Sequence, residues 1–268
     1  MSLALLSANA GFAPVAPAVR GAPAASTVRM ETVEDLKVLA KKCNPVIGYY
    51  NPLALGEEAK GSPYDTEAAI GFLRHAEIKH GRIAMFAFVG FIVQSNGIHF
   101  PWNIDLQTSY ESLSQIAAPA AQWDALSTAA KLQIFTVIFA LELWGEGGLD
   151  SHYMRGGKPG VYPSFDKLRK DFPHPIPFDL FDPFGLSKNA SPEKKERGLI
   201  AELNNGRAAQ LGIIAFMAEA RVPGSVPPFS GLGIAPYGGE CMAPFSATDN
   251  LPFVADMLKY QLPLSPWW

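Results

Sequence analysis

Two six-residue stretches hold the side chains best suited to chemistry in this chain. They are Glu77-Ile78-Lys79-His80-Gly81-Arg82 and Glu202-Leu203-Asn204-Asn205-Gly206-Arg207, 125 residues apart (202 − 77). Each runs into an apolar stretch, 83–94 and 208–219, that keeps the same offset. On a helix turning ~100° per residue, Glu77 and His80 lie ~60° apart and present two donors along one face. Arg82 points ~140° away from Glu77, so a pair within one copy is poorly placed. If the copies cross, Arg82 reaches Glu202 and Arg207 reaches Glu77. An isolated charge at mid-bilayer costs at least ~2.5–3.5 kcal/mol, which makes reciprocal pairing the expected arrangement. Each carboxylate then keeps a lone pair, and His80 and Asn205 keep a free nitrogen or oxygen. Such hard donors suit a Mg²⁺ that a macrocycle already holds and that needs one further ligand. Gly81, Gly206, Gly90 and Gly212 permit close backbone approach at a crossing.

The elements that must carry these groups read as helical spans over roughly 64–97 and 192–221, with a shorter apolar span over 128–145 between them. Ser191-Pro192-Glu193 reads as an N-cap with proline in the first turn. Loop charge supports the division. No Lys or Arg falls between Asn96 and Ala130, whereas the 149–197 loop holds Arg155, Lys158, Lys167, Arg169, Lys170, Lys188, Lys194, Lys195 and Arg197. Basic, non-basic, basic, non-basic is the alternation of three membrane crossings with the N-terminus on the positive side. Composition alone, 48% hydrophobic and 18% charged, would suit a soluble protein, and a net charge of −3 argues against nucleic acid as a partner. Cys43 and Cys241 form no metal-ligand pattern. Neither HExxH, G-x-S-x-G nor a P-loop is present, so no enzyme is expected. Residues 1–29 lack acidic side chains, carry only Arg20 and Arg29 as charges, and read as a targeting segment.

The paired ExxHGR and ExxNGR motifs, the Phe181-Asp182-Pro183-Phe184-Gly185-Leu186 element with its looser counterpart Tyr50-Asn51-Pro52-Leu53-Ala54-Leu55, and the three-span plan resemble the chlorophyll-binding light-harvesting antenna proteins over about 44–221. The texture of 80–90 (HGRIAMFAFVG) and of 205–212 (NGRAAQLG), with a Gly11-Phe12-Ala13-Pro14 junction, is similar to the chlorophyll a/c antennas of red-lineage secondary plastids, the dinoflagellate type preferred.

The resemblance implies an all-α membrane protein with three transmembrane helices, the first and third a pseudo-two-fold crossed pair. It implies a plastid targeting segment (1–29), a pigment-binding domain (30–221) and a lumenal tail (222–268) in a thylakoid protein with a stromal N-terminus. By the same resemblance Glu77, His80, Glu202 and Asn205 are axial ligands to chlorophyll magnesium, and Arg82 and Arg207 are structural ion-pairing arginines. Gln94, Glu219, Gln133 and Glu142 fall at further ligand positions. The last two are nine residues apart (142 − 133), ~180° of helix, and should face opposite sides.

The implied cofactors are chlorophyll a, chlorophyll c and a carotenoid of peridinin or fucoxanthin type, with a diadinoxanthin-like xanthophyll. Its implied partners are a photosystem core, neighbouring antenna subunits and thylakoid lipids. The two proline elements would shape loops that hold carotenoid ends. The expected function is transfer of excitation energy to a photosystem. Alternatives are photoprotective dissipation, with Asp105, Glu111, Asp124 and Glu240 as lumenal proton sensors, and a small ion-coupled transporter. Competing with the ligand readings are a purely structural ion-pair lock and ordinary interhelical hydrogen bonds from His80 and Asn205. Gln94, Gln133, Glu142 and Glu219 also read as polar residues near helix ends. His75, His99, His152 and His174 read most simply as interfacial or loop residues, and Trp102, Trp123, Trp144, Trp267 and Trp268 as interfacial anchors.

Overall fold

Short capping sequences start the helices over 33–43, 128–147 and 192–221. Thr32 and Asp35 form a reciprocal capping box that opens α1 (Val33–Cys43), a helix the sequence reading did not pick out although Thr-x-x-Asp before an apolar run is its signature. Next come α2 (Thr66–Ser95), the short α3 (Tyr110–Ser114) and α4 (Pro119–Asp124), then α5 (Thr128–Gly147), opened by the Ser127 side chain on the Ala130 amide. α6 (Asp166–Asp171) precedes α7 (Pro192–Arg221), where Ser191 caps and Pro192 occupies the first turn as expected. This computed structural model describes residues 31–55, 66–104, 108–171, 178–241 and 243–254, and among these no strand forms beyond one isolated bridge between Asn103 and Ser109. The 1–29 segment, Asp105, His174 and the Trp267-Trp268 terminus lie outside the described residues.

The chain is thus a helical assembly organised on α2 and α7, each 30 residues and therefore ~45 Å long. They touch at residues that are each other's repeat counterparts. Gly81 and Gly206 meet backbone to backbone, and further along the Phe91 and Phe216 rings stack at 4.9 Å and 3°. Contacts between a residue and its own counterpart are what a two-fold axis produces, so the sequence repeat is a spatial one. The loops that precede the two helices repeat too, at an offset of 131. Asn51 and Asp182 each accept from the amide four residues on, Leu55 at 3.1 Å and Leu186 at 2.7 Å. The counterpart residues Ala54 and Gly185 both take positive φ, 49° and 69°.

α5 stands apart from the pair. Lys79 of α2 reaches Glu142 and Glu146 near its C-terminal end, and the middle of the helix leaves Val137, Ile138 and Phe139 exposed. It is also the one described helix long and apolar enough to cross a membrane by length and composition. α2 and α7 miss that criterion because of the charges they carry in mid-helix.

The segment after α7, for which the sequence suggested no role, folds back across the end where α5 begins. The Tyr237 amide donates to Ala220 O at 2.8 Å, its hydroxyl donates to Asp124 at 2.6 Å, and Arg221 donates to Gly238 O at 2.6 Å. Asp124 is therefore a hydrogen-bond acceptor and not an isolated exposed carboxylate. Trp123 likewise turns inward, its indole N–H on Pro244 O at 2.9 Å. The tail is bolted down by Lys131 and Asp249, 2.7 Å apart with side chains 0% and 2% exposed. Asp249 also accepts from Thr128 Oγ1 and from the Ser246 amide, both at 2.8 Å.

Burial would by itself push the Asp249 carboxyl up, but donation from Lys131, the Ser246 amide and Thr128 outweighs it and holds the group below the usual carboxylate range. A carboxyl lower in the folded state than in the unfolded one stabilises at pH above the ordinary carboxylate value, and the contribution is lost as pH falls through the lowered value.

Two outcomes are expected. Gly206→Val puts a Cβ where 2.9 Å separates it from Gly81 Cα, and thermal unfolding should show a loss of about 1–3 kcal/mol. Lys131→Met should cost about 3–5 kcal/mol by stranding a buried carboxylate, whereas adding Asp249→Leu should recover most of it. Limited proteolysis after residue 221 should quicken on acidification below about pH 4 in the parent and lose that pH dependence in the double variant.

Candidate functional site

At the crossing, the two copies of the motif exchange partners. Arg82 Nε donates to Glu202 Oε1 at 2.5 Å and Arg207 Nε donates to Glu77 Oε1 at 2.8 Å. The reciprocal arrangement follows from the ~140° between positions five apart on one helix, which turns each arginine toward its neighbour. Gly81 and Gly206 lie between the pairs, and without side chains they let the helices come near enough for the guanidinium groups to reach.

Outside that exchange the halves differ. Glu77 also takes Arg74, whose Nε lies 3.3 Å from Glu31; the repeat has Leu199 in place of Arg74. Arg82 also donates from Nη1 to Gly160 O at 2.7 Å, while Arg207 has its only described partner in Glu77. Glu202 Oε2 has no protein partner among the described residues.

The two remaining motif positions face outward. His80 Nδ1 lies 2.8 Å from Ala76 O of its own helix. That contact places the ring proton on Nδ1 and leaves Nε2 an unprotonated donor of electrons pointing away from the crossing, the form in which imidazole binds metals. Asn205 is exposed and its side chain has no protein hydrogen bond among the described residues. Around them the helix surfaces are apolar and open: Phe86 is 78% exposed, and Ile83, Val89, Leu211 and Ile214 are exposed with it. Large apolar side chains exposed in such number along two helices mark a surface that other molecules cover. Oxygen and nitrogen donors set in an apolar surround suit a flat apolar macrocycle with a hard metal at its centre, so the residues fit magnesium-centred tetrapyrroles.

The weaker candidates separate. Gln133 is exposed on α5 with no protein partner among the described residues, and Gln94 is half-buried near the end of α2. Glu142 is drawn to Lys79. Glu219 is buried, and both of its oxygens are occupied, Oε1 by the Gly224 amide at 2.7 Å and Oε2 by the Val226 amide at 2.9 Å. Its partner is thus the turn that leaves α7, which explains how a carboxylate stands there without an arginine.

His75 differs most from its reading as an interfacial residue. It is 7% exposed, its ring stacks on Tyr153 at 3.9 Å, and its Nδ1 accepts from the Gly160 amide at 3.1 Å. Nearby, the Tyr153 hydroxyl and His152 Nε2 both meet Glu146 Oε2, at 2.9 and 3.1 Å. Burial, then donation to Glu146, pushes the Tyr153 phenol up to about 12, so it remains a proton donor throughout the neutral range. No local sequence pattern signals this cluster, because it joins α2, α5 and the loop beyond α5.

The chlorophyll A-B binding protein family profile matches residues 37–221. A chloroplastic fucoxanthin-chlorophyll a-c binding protein of Trieres chinensis is 31% identical over 234 residues, covering 85% of this chain and 98% of the relative. Fucoxanthin-chlorophyll a-c binding proteins F and E of Phaeodactylum tricornutum are 32% and 33% identical, each covering 80% of this chain and 95% of the relative.

Because Arg82 holds the loop as well as Glu202, the two ion pairs should not be equivalent. Arg82→Leu is expected to lower stability by about 1–3 kcal/mol and Arg207→Leu by less, read from detergent-induced unfolding of each variant. Exchanging partners, Arg82→Glu with Glu202→Arg, should restore part of the loss, since the charges still meet.

Proposed function

Since the chain belongs to the chlorophyll A-B binding protein family, we propose that it is a chlorophyll a/c antenna of the light-harvesting type, which binds pigments and passes absorbed excitation energy to a photosystem. The observation that carries the reading is the pairing of satisfied charges with unsatisfied donors. The arginines neutralise the motif carboxylates, while His80 Nε2 and the Asn205 side chain stay available on open surface and the half-buried Glu202 keeps Oε2 without a protein partner among the described residues.

Glu77, His80, Glu202 and Asn205 would each supply an axial ligand to chlorophyll magnesium, and Arg82 and Arg207 would hold the carboxylates in place. Gln133 and Gln94 are the next ligand positions. Glu142, held by Lys79 through Oε2 alone, and Glu219, held by an amide on each oxygen, still keep lone pairs and follow them. When bound, chlorophyll and carotenoid supply the light absorption and the transfer of excitation. The protein supplies fixed donors, an apolar surround and a rigid crossing. The chlorophylls are of a and c type by the names of the relatives, and the carotenoid is fucoxanthin-like, with peridinin and a diadinoxanthin-like xanthophyll as the choices that extraction separates.

We place the protein in the plastid, in the thylakoid membrane. Three crossings are formed by α2, α5 and α7, with α1 stromal and the tail after 221 lumenal. The separation of basic from non-basic loops supports this orientation, and charges mid-helix in α2 and α7 are tolerated because they are paired. The pigment-binding domain is then 30–221, behind a targeting segment of 1–29. Partners are the photosystem core and neighbouring antenna subunits.

Refolding the full chain with chlorophyll a, chlorophyll c and fucoxanthin tests the proposal. Carotenoid excitation should yield chlorophyll a emission, and His80→Leu, Asn205→Leu and Glu202→Leu should each lose a single chlorophyll on extraction. A folded chain that takes up no pigment would overturn it.

A further inference from the structure

We propose that His75 is the positioning residue for the Glu202 carboxylate, acting through Gly160 and Arg82; the inference rests on Glu202 being a pigment ligand. His75, Ile78 and Arg82 fall at i, i+3 and i+7, one face of α2 and not the face that carries Glu77. Gly160 is laid along that face. Its N–H donates to His75 Nδ1 at 3.1 Å, and its carbonyl accepts from Arg82 Nη1 at 2.7 Å. Between these contacts the residue is pressed on Ile78: a Cβ there would stand 2.9 Å from two Ile78 side-chain carbons, and φ is +78°, a backbone that only glycine adopts without strain. Two hydrogen bonds and a close contact thus fix one residue of the loop on the helix.

The consequence reaches Glu202 because Arg82 divides its donors. Nη1 is anchored on Gly160 O, which leaves Nε directed at Glu202 Oε1 at 2.5 Å. His75 is itself held on both sides. Its ring lies on Tyr153 at 3.9 Å, and with Nδ1 accepting, the ring proton sits on Nε2, 3.9 Å from Glu146 Oε1 at the end of α5. The chain of contacts runs from the end of α5 through His75, Gly160 and Arg82 to the carboxylate. It belongs to one half only: the counterpart of His75 in the repeat is Ile200, and among the described residues Arg207 meets Glu77 and no loop carbonyl. The carboxylate of Glu202 is set by the loop, that of Glu77 by Arg74.

The full chain refolded with chlorophyll a, chlorophyll c and fucoxanthin provides the test. Glu202→Leu first identifies the absorption and circular-dichroism band, and the chlorophyll, that depend on that side chain. His75→Phe keeps a ring to stack on Tyr153 but removes the acceptor, and is expected to shift that same band and weaken retention of that chlorophyll about tenfold, the usual scale for a residue behind a metal ligand. His75→Asn, which can place an oxygen near the Nδ1 position, should restore both. In the Glu202→Leu background, His75→Phe should change nothing further in the pigment spectrum.

Loss of the Glu202 band followed by an unaltered band in His75→Phe overturns the positioning role and leaves the ligand reading standing. Equal spectral damage in His75→Phe and His75→Asn also overturns it, since a packing role alone predicts that. If Glu202→Leu keeps every chlorophyll, the ligand reading falls and the inference falls with it.

Discussion

Charge neutralisation at the α2–α7 crossing is the constraint on which the rest of the structure depends. Four charged side chains sit midway along two long helices, and each arginine finds the other helix's carboxylate, at 2.5 and 2.8 Å. Within one motif the glutamate and arginine cannot meet, because a five-residue spacing turns them apart; Arg74 adds a partner to Glu77 from its own helix but leaves Arg82 and Arg207 to the other helix's carboxylates. The helices must therefore cross, and must do so near the motif. Gly81 and Gly206 at the contact are the steric condition for that approach, and the Phe91–Phe216 stack continues it along the axis. An isologous contact of this kind satisfies both halves with one solution.

The pairing leaves donor atoms over. An arginine that neutralises one carboxylate oxygen does not exhaust its lone pairs, and a histidine whose Nδ1 is bonded within its own helix offers Nε2 outward. The same interaction that makes two charged helices compatible with an apolar medium thus also fixes donors at defined points on their surfaces. α5 contributes differently. It is apolar, exposed along its middle and fixed near its ends, by Lys79 on Glu142 and Glu146 at one and by Lys131 on Asp249 at the other. A helix held at its ends and open between them leaves space beside the pair that its own side chains do not fill.

The two ends of the molecule are closed by different means. Where α5 begins, the tail returns to give Asp249 to Lys131 and Tyr237 to Asp124, and Glu219 holds the turn that starts the return. Where α5 finishes, the loop around Tyr153 and Gly160 is laid on α2 through His75 and Arg82. Both closures use polar groups with small exposure and several partners each. These are the conditions under which buried polar contacts specify geometry and do not merely cost solvation.

The sequence by itself determined the repeat, the long helices and the reciprocal pairing. An offset of 125 relates Glu77 to Glu202 and Arg82 to Arg207, and helical periodicity dictates that each arginine looks outward from its own copy. It also determined the paired loops, since Asn51 and Asp182 before proline carry their own turn chemistry.

Tertiary structure alone decided what the residues that differ between the halves touch. That His75 is buried on Tyr153, that Gly160 divides its backbone between His75 and Arg82, and that Lys131 meets Asp249 118 residues away are contacts between segments with no common period. The employment of Glu219 belongs with them, because a carboxylate that caps a turn and one that binds a metal have the same sequence spacing. Local pattern specifies which groups a helix presents. Which of them are taken up by neighbours depends on chain returning from far away, and that is settled only when the helices have packed.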